Sequence, residues 1–190
     1  MMTIIYGGTF NPPTIAHYLI AKHLITKFPN SKLIFLPTAS FYAKGAKEAF
    51  HHRYAMLEIM AKKLGPNVSV SDFENQQKQY LGTYHTLKHF SGAYFVLGAD
   101  NLLTISSWIK YPDVVIENKF IVFPRDHINL EKVFSENEIL NKYRDNFIII
   151  DDFDQIDISS SLYRKAKSKE YLLPEVQQYI EKNNLYKEEH

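Results

Sequence analysis

The sequence contains no cysteine. That excludes a disulfide framework, a thiolate nucleophile and a cysteine-ligated zinc, and it suits a reducing compartment. Neither sign of charge dominates: Lys plus Arg number 22, Asp plus Glu 21, and the net charge is +1. A chain so balanced has no general attraction to nucleic acid or anionic membrane, while a local basic pocket is compatible with it. No apolar run approaches the roughly 18 residues of a membrane-crossing helix. Residues 1–6 lack a basic leader and pass straight into a strand-like run. The expected location is the cytoplasm, with no nucleic-acid and no membrane partner. No Gly/Ser-rich or Pro-rich linker and no internal repeat divides the 190 residues, so a single domain over 1–190 is expected. With 45% hydrophobic and 23% charged residues, the chain is globular rather than disordered.

What is present is alternation. Short β-branched or aromatic runs predict strands at 3–6, 32–36, 68–71, 93–97, 119–123 and 147–150. Helices are predicted at 14–28, 51–64, 86–90, 101–105, 111–117, 130–140, 160–166 and 174–183. In the first of these, Ala16, Leu19, Ile20, His23, Leu24 and Phe28 form the apolar stripe. The second stops at Gly65-Pro66. Such alternation predicts an α/β fold, a Rossmann-like doubly wound parallel sheet with helices on both faces. Ligands of such sheets sit beyond the carboxyl ends of the strands.

Two strand-to-helix turns carry chemistry. After the first strand, Tyr6-Gly7-Gly8-Thr9-Phe10-Asn11-Pro12-Pro13-Thr14 runs into a helix with His17 in its first turn. The glycines allow close backbone approach, and a helix start offers unpaired N–H groups to an anion. Thr14 and His17, three apart, share a face. Near the other end of the sequence, Ile158-Ser159-Ser160-Ser161 opens a helix bearing Arg164. By itself a Ser run there reads as a cap. With Arg164 one turn on, it can also hold phosphate.

These segments resemble the nucleotidyltransferase superfamily, whose Gly-Gly-x-Phe-x-Pro stretch precedes a His/Thr-x-Gly-His box and whose closing motif is Ile-Ser-Ser-Thr-x-x-Arg. Asn11 stands where Asp is common, Ala16 where Gly is usual, and Ser161 in the Thr place. Within the superfamily, the resemblance to bacterial nicotinate mononucleotide adenylyltransferases runs from about residue 3 to 186. Phe95-Val96-Leu97-Gly98-Ala99-Asp100, Trp108, Arg125, the Arg53-x-x-Met56 helix and the Tyr171-Leu172-Leu173-Pro174 stretch carry it. In Gly82-Thr83-Tyr84-His85-Thr86-Leu87, Gly82 replaces the family Tyr and His85 the family Asp.

The resemblance implies transfer of the adenylyl group of ATP to nicotinate mononucleotide. It implies His17, Arg164, Thr14 and Lys44 as the catalytic set, with Lys44 chosen over Lys47. It implies ATP contacts from Gly7, Gly8, Thr9, Phe10, Gly98, Asp100, Ile158, Ser160 and Ser161, and mononucleotide contacts from Thr83, Trp108 and Arg125. Mg²⁺ would arrive on ATP, with no protein metal site, and a homodimer is expected by analogy. The alternatives are a phosphopantetheine or nicotinamide-mononucleotide adenylyltransferase, or a catalytically weak nucleotide-sensing module. Asp151, Asp152, Asp154 and Asp157 read as a solvated acidic loop, and His51, His52, His85 and His89 lack zinc-site spacing.

Overall fold

The computed structural model describes residues 1–39, 48–154 and 156–187. Strands are β1 (Met2–Gly8), β2 (Ser31–Pro37), β3 (Val68–Val70), β4 (Tyr94–Gly98), β5 (Lys119–Phe123) and β6 (Phe147–Ile149). Helices are α1 (Ile15–Lys27), α2 (Phe50–Leu64), α3 (Phe73–Gln76), α4 (Thr83–His89), α5 (Ala99–Leu102), α6 (Asp113–Ile116), α7 (Leu130–Glu136), α8 (Glu138–Lys142), α9 (Ser160–Ala166) and α10 (Pro174–Lys182). The six strands form one sheet in the order β3-β2-β1-β4-β5-β6, and the registered pairs are parallel. This is the doubly wound order, which reverses after β1. Among the described residues, no helix is long and apolar enough to cross a membrane.

The chain makes two compact units. Residues 7–80 and 156–190, with Met1, form the first; residues 2–6 and 81–155 form the second. In the first unit, α2 packs on α1, β2, β3 and α10. Its core includes Leu24, Leu33, Phe35, Met56, Leu57, Met60, Val176 and Ile180. Helix α2 ends where Gly65 adopts φ 120°, its N–H closing on the Ala61 carbonyl at 3.1 Å. Pro174 opens α10 at the position where a missing N–H costs nothing. The buried residues of α1 are Ala16, Ala21 and Leu24, whereas Leu19, Ile20 and His23 of the expected stripe are only half-buried. Small Ala21 is the member that the stripe missed.

In the second unit, Val114, Val115, Phe120, Val122, Phe134, Leu140 and Phe147 join one apolar cluster. Phe120 and Phe147 stack with centroids 5.0 Å apart. The single helix expected over 130–140 is two. Asn137 is extended there, and its side chain accepts the Leu140 N–H at 3.0 Å, capping α8 and ending α7. The helix expected at 101–105 is α5, followed by a 3-10 turn at Ile105–Ser107. Helix α4 starts at Thr83 instead of Thr86, because Gly82 supplies the turn that launches it.

Candidate nucleotide site

The first unit holds both chemical turns. Beyond β1 the chain bends at Phe10, whose φ of 49° lies in the left-handed region. Its ring is 2% exposed and packs edge-on against Phe35 at 5.7 Å and His17 at 5.0 Å. A Cβ on Gly8 would meet that ring at 3.1 Å, so the bare glycine and the inward aromatic require one another. The Phe10 side chain is therefore occupied in the core. Gly7 and Gly8 are half-buried and Thr9 is exposed. The Gly8 carbonyl accepts the Thr38 N–H at 3.0 Å, fixing the ends of β1 and β2 together.

Thr14 is fully buried and caps α1. Its backbone N–H donates to His17 Nδ1 at 2.9 Å, and its hydroxyl lies 2.9 Å from the same nitrogen. An amide N–H can only donate, so Nδ1 is the acceptor and the neutral ring carries its proton on Nε2. The fold thus sets the imidazole's tautomer as well as its rotamer. Thr14 itself is engaged in holding the ring.

On α9, Ser159 caps the helix by accepting the Leu162 N–H at 3.1 Å. Ser160 donates its hydroxyl proton to the Pro12 carbonyl at 2.7 Å, so what remains for an anion is its backbone N–H in the first helical turn. Arg164 donates through Nη1 to the Asn11 carbonyl at 2.6 Å and through Nη2 to Ser161 Oγ at 3.1 Å. The guanidinium has five N–H donors, which leaves others for phosphate oxygens. Ile158 is half-buried and Ser161 exposed. The structure therefore brings the turn bearing His17 and the turn bearing Arg164 together within this unit. Lys44, and Lys47 with it, lies outside the described residues.

The site has support that motif spacing does not reveal. Arg53, on α2, is fully buried. It donates to the carbonyls of Thr9 and Thr38, each at 2.8 Å, and to that of Glu48 at 3.4 Å, with Phe50 stacked 5.5 Å from its carbon. Burial pulls its pKa below the ordinary guanidinium range, opposed by the nearby Tyr186. One side chain so ties the glycine turn, the exit of β2 and the entrance of α2. On the same helix, His51 and His52 lie 4.0 Å apart, and His52 Nδ1 is 3.0 Å from the Tyr179 hydroxyl of α10.

In the second unit, Gly98 ends β4. A Cβ there would collide with Asp100 Oδ1 and approach Arg125 Cδ to 3.2 Å. Arg125 Nε is 3.8 Å from Asp100 Oδ1 and 3.8 Å from Asp126 Oδ2, an exposed pairing that contributes little to stability. Arg125 thus stands with Gly98 and Asp100. Trp108 is half-buried against the apolar cluster. Its neighbour Ile109 packs on Gly82, where an added Cβ would meet Ile109 Cβ at 2.9 Å and where φ is 85°. Thr83, the first residue of α4, follows Gly82, so the segments bearing Thr83 and Trp108 touch through their neighbours. Gly82→Ala is expected to cost about 1–3 kcal/mol through left-handed strain and the Ile109 contact, read as a Tm several degrees lower. Among the described residues, no three His, Asp or Glu side chains are placed to hold a metal ion.

A parallel sheet of this order, with glycines closing its first strand and a tautomer-fixed imidazole at the following helix start, is the build of a nucleotide-handling α/β protein. A model of the cytidylyltransferase-like family matches residues 5–166. The chain belongs to that family. It is 36% identical over 194 residues to a probable nicotinate-nucleotide adenylyltransferase of Acholeplasma laidlawii, with 98% of each chain covered. It is also 36% identical over 195 residues to one of Clostridium acetobutylicum, covering 96% of this chain and 97% of the relative. Its backbone resembles that of Plasmodium falciparum nicotinic acid mononucleotide adenylyltransferase. With the form complexed with APC, the TM-score is 0.77 at 26% identity, covering 97% of this chain and 96% of that one. With the form complexed with NaAD, it is 0.75 at 26% identity.

Proposed function

We propose that the protein transfers the adenylyl group of ATP to nicotinate mononucleotide, giving nicotinate adenine dinucleotide and pyrophosphate. A phosphate oxygen of the acceptor attacks the α-phosphorus. The new P–O bond forms as the bond from the α-phosphorus to the bridging oxygen breaks, and pyrophosphate leaves with the electron pair. The attacking phosphate is already an anion at neutral pH, so no general base is needed. The work left to the protein is alignment and neutralisation of charge growing on the α-phosphate and the leaving group.

The observation that carries this reading is the Thr14 N–H to His17 Nδ1 hydrogen bond, which keeps a proton donor on Nε2. His17 then donates to the α-phosphate. Arg164 and Lys44 hold phosphates, Gly7, Gly8 and Thr9 present backbone donors, and Ile158, Ser160 and Ser161 contribute from the α9 turn. Thr14 acts through His17. Phe10, Gly98 and Asp100 complete the ATP set, and Thr83, Trp108 and Arg125 the mononucleotide set. The loop after β1 begins where strand order reverses, the place where such sheets take their ligands. Mg²⁺ enters as part of the MgATP substrate. One nucleotidyltransferase domain over 1–190, a homodimer and a cytoplasmic location complete the proposal. The first is supported by the family match, which runs through both compact units.

The test is pyrophosphate release from MgATP with each acceptor offered separately. Nicotinate mononucleotide is expected to give the highest kcat/KM. Turnover with the nicotinamide form or with phosphopantetheine alone would replace the acceptor, and tight ATP binding with no pyrophosphate released would make the protein a sensor.

A further inference from the structure

Tyr186 lies far from either motif in sequence, yet it is buried in the first unit at 3% exposure. Its hydroxyl donates to Asn11 Oδ1 at 2.7 Å. Its backbone N–H donates to Glu48 Oε1 at 2.8 Å, and its carbonyl accepts from Lys167 Nζ at 2.6 Å. These three bonds hold it at φ 56°, a region an aromatic residue seldom occupies unless its surroundings impose it. The ring meets Tyr163 edge-on at 5.9 Å. Burial pushes the phenol pKa well above its usual range, so the O–H remains a donor at any working pH.

Asn11, 1% exposed, is the residue whose carbonyl receives Arg164 Nη1. Its side chain is thus held by Tyr186 while its main chain holds Arg164. A buried neutral hydrogen bond contributes little net stability, because folding exchanges it for bonds to water. What it adds here is direction: it fixes the rotation of Asn11, and with it the carbonyl that aims the guanidinium. We infer that Tyr186 is a positioning residue, its hydroxyl setting Asn11 so that Asn11 presents Arg164 to phosphate. This rests on the proposed role of Arg164, although it does not depend on which acceptor the reaction uses.

Tyr186→Phe removes one oxygen and keeps the ring contact and both backbone bonds. The test titrates inorganic pyrophosphate into wild type, Tyr186→Phe, Arg164→Lys and the double variant by calorimetry, with kcat and KM for ATP measured on the same samples. Tyr186→Phe is expected to weaken pyrophosphate binding about 5–10-fold and to lower kcat about 10-fold, the scale of a misaligned donor. KM for ATP should change less. In the Arg164→Lys background the same change should add little, since both act through one contact. Wild-type affinity in Tyr186→Phe with only a lower Tm would overturn the inference, as would losses that simply add. Pyrophosphate binding reads the contact without turnover, so an inactive wild type would count against the proposed reaction alone.

Discussion

His17→Ala is expected to lower kcat by about 10²–10³-fold, the usual loss for one transition-state hydrogen-bond donor, with the fold retained. The imidazole is half-buried, so alanine removes little packing. The Thr14 N–H loses its partner at Nδ1, a loss of about 1 kcal/mol comparable to removing a helix cap. Stability and turnover therefore separate. Circular dichroism and a Tm within a few degrees of wild type, beside a collapsed kcat, would establish the role. Unchanged turnover would take His17 out of the mechanism. The donor is needed more as negative charge accumulates on the α-phosphate than in the ground state, so KM for ATP should move far less than kcat.

Arg53→Met is expected to act on stability first. It retains most of the side chain's length and removes the donors to the Thr9, Thr38 and Glu48 carbonyls. Leaving these part-buried carbonyls without partners costs about 1 kcal/mol each, so a total of about 3 kcal/mol and a Tm drop of roughly 10 °C are expected for a chain of this size. Against a total stability of about 5–15 kcal/mol, that is a large share. Arg53→Lys keeps the charge but not the fork and should fall between the two. A denaturant midpoint unchanged in Arg53→Met would show that water or relaxation satisfies the carbonyls.

Much of this architecture was legible. The run 119–123 is a strand with the expected bounds, and the other five strands shift at their ends by one or two residues, because each is an apolar run between turn residues. Helix 130–140 was not, since its interruption rests on Asn137 turning its side chain back to an N–H three residues on, a bond without effect on hydrophobic period. At the site, His17, Thr14, Arg164 and the Ser run were visible because they sit within a few residues of one another on two turns. The hold of Arg53 on Thr9 and that of Tyr186 on Asn11 were not. Their partners lie 44 and 175 positions away, and Arg53 bonds to backbone carbonyls, which any residue type presents. The inward ring of Phe10 was likewise hidden, because its position in the motif is equally compatible with contact to ligand. The glycine at position 82 finds its reason in its φ of 85° and in Ile109, which leaves no room for a Cβ.

The phenol-to-amide bond between Tyr186 and Asn11 joins residues 175 positions apart. Entropy penalises so distant a meeting until nearer contacts have shortened the effective loop, so such bonds arise late in the assembly of a chain. The Tyr186–Asn11 contact is therefore expected among the later ones to form. On renaturation, phosphate binding is expected to return with the final cooperative step.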